Sequence, residues 1–139
     1  MEIYQIIRQD LEEQGPVEMM LPPYHEEDDV QQKLNSTFKA MRRAIKLGNR
    51  ILALVNAFYL GQCIEMIIDN PIDRLVCKNK IPEHYRRIAT KTYLIFEALG
   101  LQQILRTRST TVAMIQKLNK SSLRKLVNDA AELSQELQI

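Results

Sequence analysis

A chain of 139 residues is the length of a single domain, and a domain of that size buries roughly 68–70% of its unfolded surface, enough for a core without staples. Apolar residues at 45% and charged residues at 26% are normal for a soluble globular protein, while four Gly and five Pro argue against long loops and many-stranded sheets. The formal net charge of +2 excludes a strongly basic or acidic chain overall, and two cysteines exclude a disulfide framework.

Ile3, Ile7 and Leu11, at spacings of four, predict a short amphipathic helix over residues 3–13, ended by Gly15-Pro16. Residues 15–29, GPVEMMLPPYHEEDD, hold three prolines and little periodicity and read as an extended arm. Its acidic run, Glu26 to Asp29, suits the positive N-terminal end of the helix that follows. In that helix Leu34, Phe38, Met41, Ile45 and Leu52 keep helical spacing. It either breaks at Gly48-Asn49 or continues through RILALVNAFYL as one long rod. The apolar stretch Ile51 to Ile68 contains Asn56, Gln62 and Glu65, which marks a buried core helix rather than a membrane span.

Asn70-Pro71 is a capping pair that opens a short turn of helix to Val76. Ile81-Pro82 starts the next helix, with Tyr85, Ile88, Thr92, Phe96 and Leu99 on one face and Gly100 as its stop. Leu101 to Leu105 begins another, interrupted near Ser109. Ser121 is placed to cap the last helix, whose Leu123, Leu126, Val127, Ala130, Leu133 and Leu137 form an apolar stripe. No stretch alternates as a strand. The expected fold is all-α, a compact bundle of about five to seven helices. The expected organisation is an acidic N-terminal arm with a short helix over residues 1–29 and a single helical domain over 30–139.

The charges are sorted along the chain. Residues 1–38 hold two basic and nine acidic side chains, net −7; residues 39–125 hold seventeen basic and five acidic, net +12; residues 126–139 are net −3. The stretch FKAMRRAIKLGNR, residues 38–50, carries five cations, and no acidic residue lies between Lys33 and Arg50. At ~100° per residue, Lys39, Arg43, Lys46 and Arg50 fall in one stripe opposite the apolar positions, with Arg42 beside them. Like charges at i,i+4 repel, so a helix selected for stability alone would intersperse glutamate. Such a ridge is either a solvated face, the seat of an acidic arm, or a surface for a polyanion. Further cations lie at Arg86, Arg87 and Lys91, at Arg106 and Arg108, and at Lys117, Lys120, Arg124 and Lys125, extending the patch if their helices converge.

For a nucleic acid these residues would neutralise phosphates with strong salt dependence and no sequence readout, because the chain has no Trp and its Tyr and Phe occupy mostly apolar faces. An anionic membrane surface is the rival partner. A basic ridge over a buried apolar face is similar, by general analogy, to the docking face of small helical viral matrix proteins.

No H-E-x-x-H, C-x-x-C, G-x-S-x-G or phosphate-binding glycine loop occurs, and His25 and His84 are the only histidines. Cys63 and Cys77, fourteen apart, read as core thiols of a reducing compartment rather than as metal ligands or nucleophiles. The opening MEIYQIIRQD lacks the pattern of a secretory signal. LPPYHEEDD resembles the L-P-x-Y variant of the P-P-x-Y ligands of WW domains, through Leu21, Pro22 and Tyr24, with Leu in place of the commoner Pro. That resemblance implies docking to a WW-domain protein; the alternative is a proline-bounded linker. The sequence therefore predicts an intracellular, non-enzymatic interaction or assembly protein without cofactor or metal. It binds a polyanion, nucleic-acid backbone ahead of anionic membrane, through a basic helix ridge, and is a candidate homo-oligomer. The alternative is a protein–protein adaptor or matrix-like structural subunit.

Overall fold

In the computed structural model, which describes residues 2–15, 17, 20–22 and 29–139, every element is helical. The helices are α1 (Ile3–Gln14), α2 (Val30–Lys46), α3 (Arg50–Met66), α4 (Pro71–Lys80), α5 (Glu83–Leu99), a 3-10 helix (Leu101–Arg106), α6 (Ser109–Gln116) and α7 (Lys120–Leu137). Among the described residues there is no strand. The count of eight exceeds the expected range because the segment after Gly100 divides into the 3-10 turn and α6. No helix among the described residues is long and apolar enough to cross a membrane.

The chain forms two compact units: a central unit, Pro22–Tyr93, and a discontinuous unit, Met1–Leu21 with Leu94–Ile139. The residues of α1 fall in the discontinuous unit, where Ile7 and Leu11 are fully buried.

In the central unit, Asp29 caps α2 by accepting the Gln31 N–H at 2.8 Å. The alternative of one rod through residue 50 is settled by the turn after Lys46. Gly48 adopts φ 71°, its N–H donates to Ile45 O at 3.1 Å, and the Asn49 N–H donates to Ala44 O at 2.9 Å. That pair of bonds is a Schellman motif, which satisfies the last carbonyls and needs a residue tolerant of positive φ. Asn49 then caps α3, its Oδ1 accepting from Leu52 N–H at 3.1 Å. Helices α2 and α3 thus form a tight hairpin, the most extensive helix pair of the unit.

Leu34, Phe38 and Met41 of α2 join Ala57, Leu60 and Cys63 of α3 in one core, closed by Ile67, Cys77, Ile81 and Ala89. The Phe38 ring meets Tyr85 edge-on at 5.3 Å. Gly61 lets α3 and α5 approach closely. A Cβ there would lie 2.2 Å from the Ala89 carbonyl oxygen. Asn70 caps α4 as expected, accepting from Asp73 N–H at 3.1 Å, but the helix runs past Val76 to Lys80.

In the discontinuous unit, α1 is held by polar as well as apolar contacts. The Asp10 carboxylate, 1% exposed, accepts from the Arg108 N–H at 3.1 Å and from the Thr111 hydroxyl, capping α6 across 101 residues of sequence. Arg106 donates to the Leu11 carbonyl, and Arg8 pairs with Glu136. Gly100, at φ 99°, ends α5 as anticipated. The cap of α7 is Asn119, not Ser121: its Oδ1 accepts from Ser122 N–H at 2.9 Å. Asparagine is at least as good an N-cap as serine, and here it starts the helix two residues earlier than a cap at Ser121 would.

Candidate polyanion-binding ridge

The described helix α2 buries Leu34, Thr37, Phe38, Met41 and Ala44 and exposes Lys39, Arg42, Arg43 and Lys46. Taking ~100° per residue, Arg43 and Lys46 lie within about 40° of Lys39, and Arg42 about 60° away. Ala44, not Ile45, completes the buried stripe. Positions 34, 38, 41 and 45 share one narrow stripe, but Ile45 lies in the last turn of α2, where it emerges with 48% of its surface exposed. Its expected place in the core is corrected accordingly.

Among the described residues, no carboxylate forms an ion pair with Lys39, Arg42, Arg43 or Lys46. The Arg42 guanidinium carbon lies 5.6 Å from the centroid of the Phe38 ring, which braces its side chain. Arg43 and Lys46 sit in the last turn of α2, where a cation complements the helix dipole by about 0.3–1 kcal/mol. Lys39 and Arg42 stand before that turn, so the dipole does not account for them.

The other expected cations divide between the units. Arg50 opens α3 beyond the Schellman turn and is half-buried, so the stripe drawn through residue 50 ends at Lys46. Arg86 is half-buried and donates to Ile81 O at 3.0 Å; Arg87 is exposed and pairs with Glu83 at 2.8 Å; Lys91 is half-buried. In the discontinuous unit, Arg106 is only 9% exposed; its Nη2 donates to Leu11 O and its Nη1 to Gln103 Oε1, bonds that hold it within the fold. Arg108 is tied to Glu13 and Asp10. Lys117, Lys120, Arg124 and Lys125 are exposed, and Lys125 lines an open cleft of about 310 Å³ with Glu2, Tyr4 and Asp129.

Of the peptide motif, Leu21 and Pro22 are half-buried, and the Pro22 carbonyl accepts the Tyr59 hydroxyl at 3.1 Å. Tyr24 and the run Glu26 to Asp28 lie outside the described residues, as does His25. Cys63 and Cys77 are both buried. Burial pushes the Cys77 thiol up from its ordinary value. Among the described residues no group of three or more His, Cys, Asp or Glu is arranged to hold a metal ion. No protein-family model, curated protein or solved structure matches the chain.

Proposed function

We propose that the protein is a non-enzymatic interaction protein that docks through α2 on a phosphate-bearing polyanion, a nucleic-acid backbone or the headgroup layer of an anionic membrane. The observation that carries this reading is the row Lys39, Arg42, Arg43 and Lys46, exposed on one face, unneutralised by any described carboxylate and backed by a packed core. Closely spaced cations on a rigid support release counterions from closely spaced phosphates, and this favours binding without base or headgroup specificity. Lys117, Lys120, Arg124 and Lys125 supply the same chemistry on the discontinuous unit as a second, weaker contact. Two buried cysteines, Cys63 and Cys77, too few for a disulfide framework, support a reducing, intracellular location.

Replacing all four α2 cations by glutamate tests the reading. The variant keeps its helical circular dichroism, since none of the four side chains is buried, and loses binding to heparin, RNA and vesicles containing phosphatidylserine. A wild-type protein that ignores all three at low salt would dismiss it.

A second reading rests on a different surface. Met66, Ile68, Ile72 and Leu75 are all exposed along the end of α3 and on α4. Four large apolar side chains so close in sequence support protein docking, as in an adaptor or an assembly subunit. Within that reading Leu21, Pro22 and Tyr24 are the WW-domain ligand, and a second copy of the chain is an alternative partner.

A further inference from the structure

We infer that the polyanion recognised by the ridge is the surface of an anionic lipid bilayer, and that Ile45 and Leu47 insert beneath its headgroups. The inference rests on the proposed docking through α2 and deepens it. Leu47 is 70% exposed and Ile45 48% exposed, and both sit among the cations rather than apart from them. Around the axis they lie well off the basic row, Ile45 about 120° to one side of Lys39 and Leu47 about 80° to the other, so it is the exposed C-terminal end of α2, beside Arg43 and Lys46, that presents them together. Leu47 is the C-cap residue of α2, held by the Schellman turn that Gly48 and Asn49 close. An aliphatic side chain on a rigid tip loses little entropy on insertion.

A lipid surface matches this mixture and a nucleic acid does not. Phosphates lie at the bilayer surface, and hydrocarbon begins some 5–10 Å beneath them, so cations and aliphatic groups gathered at the end of one helix are both satisfied. Along a nucleic-acid backbone the cations would be satisfied but Ile45 and Leu47 would meet water and phosphate. A single-stranded nucleic acid bound without sequence readout instead favours exposed aromatic rings for stacking. The aromatic side chain of α2, Phe38, is buried under Arg42. Four cations near an anionic surface together raise partitioning roughly a thousandfold.

The chain contains no tryptophan, so Leu47→Trp places a single reporter at the tip. The full-length Leu47→Trp protein is titrated with phosphatidylcholine vesicles, with vesicles containing phosphatidylserine, and with RNA and DNA duplexes at the same salt. In parallel, an Ile45→Ser, Leu47→Ser double variant is tested for vesicle co-sedimentation and duplex binding. The inference expects a blue-shifted emission, quenched by brominated acyl chains, on anionic vesicles only. It also expects partitioning of the double variant to fall at least about tenfold while any duplex binding is unchanged. Duplex binding by the wild type with no vesicle binding would overturn the lipid inference and leave the ridge reading intact. So would vesicle binding with an unshifted emission and an unaffected double variant. Binding to neither would remove both.

Discussion

A methyl group at Gly61 would meet backbone on one side and a β-carbon on the other: 2.2 Å to the Ala89 oxygen and 2.6 Å to the Tyr93 Cβ. Neither neighbour is the free end of a flexible side chain, so α3 and α5 must separate to admit it. Gly61→Ala is therefore expected to destabilise the protein by about 1–3 kcal/mol or more, read by chemical denaturation. Gly48 is required for a different reason. Nothing lies within 4 Å of a Cβ there, and the cost of Gly48→Ala is the positive φ alone, roughly 1–2 kcal/mol. A larger loss at Gly48 than at Gly61 would contradict this account of the two positions. Single residues also show what sequence conveyed poorly. Arg106 looked like its neighbour Arg108, yet it is buried against a carbonyl 95 residues away, and no local pattern announces such a partner. Asp10 is hidden for the same reason: it reads as one more charge in an acidic segment until α6 arrives to be capped.

At the scale of the element, α1 and α4 make opposite attachments. The Arg8 guanidinium bonds Glu136 of α7 and holds its carboxyl below the ordinary carboxylate range. A carboxyl held down in the folded state stabilises while ionised; its contribution is present above the ordinary value and is lost as pH falls through the lowered one. Glu136→Gln should therefore lower the melting temperature at neutral pH, with the difference vanishing on acidification. A difference that persists unchanged in acid would show that the pair is not electrostatic. Of the residues of α4 only Cys77 is buried, whereas α3 buries side chains all round, including Cys63. Local opening should release α4 first. Alkylation under native conditions, resolved by mass, is expected to modify Cys77 before Cys63. The reverse order would place the weak point elsewhere. The amphipathic spacing of α1, α2 and α7 was legible because each packs one face. The break after Lys46 was legible only as a choice, since Gly48-Asn49 permits a Schellman turn without compelling it. Ile45 keeps the angular position of the apolar stripe but sits in the last turn of α2 and is exposed, because spacing shows which side of a helix is covered and not how far along it the cover extends.

Across the whole molecule, the nearly neutral total hides a basic middle of net +12 between an acidic beginning and end. Segregation of this kind acts on association, not on fold. The structure assigns part of that charge to internal work: Arg106, Arg108 and Arg87 have protein partners. The exposed cations of α2 lack described carboxylate partners, and the central claim is that they, rather than positive charge in general, hold the partner. What the sequence could not convey was which cations the fold consumes, because that depends on contacts made across the chain. The most direct measurement is the salt dependence of binding to vesicles or heparin for proteins with one cation neutralised at a time. Lys39→Gln, Arg42→Gln, Arg43→Gln and Lys46→Gln should each clearly lower the slope of log affinity against log salt, while Lys117→Gln and Lys120→Gln lower it by much less. Equal reductions at all six positions would contradict the claim and leave only nonspecific attraction by a basic surface.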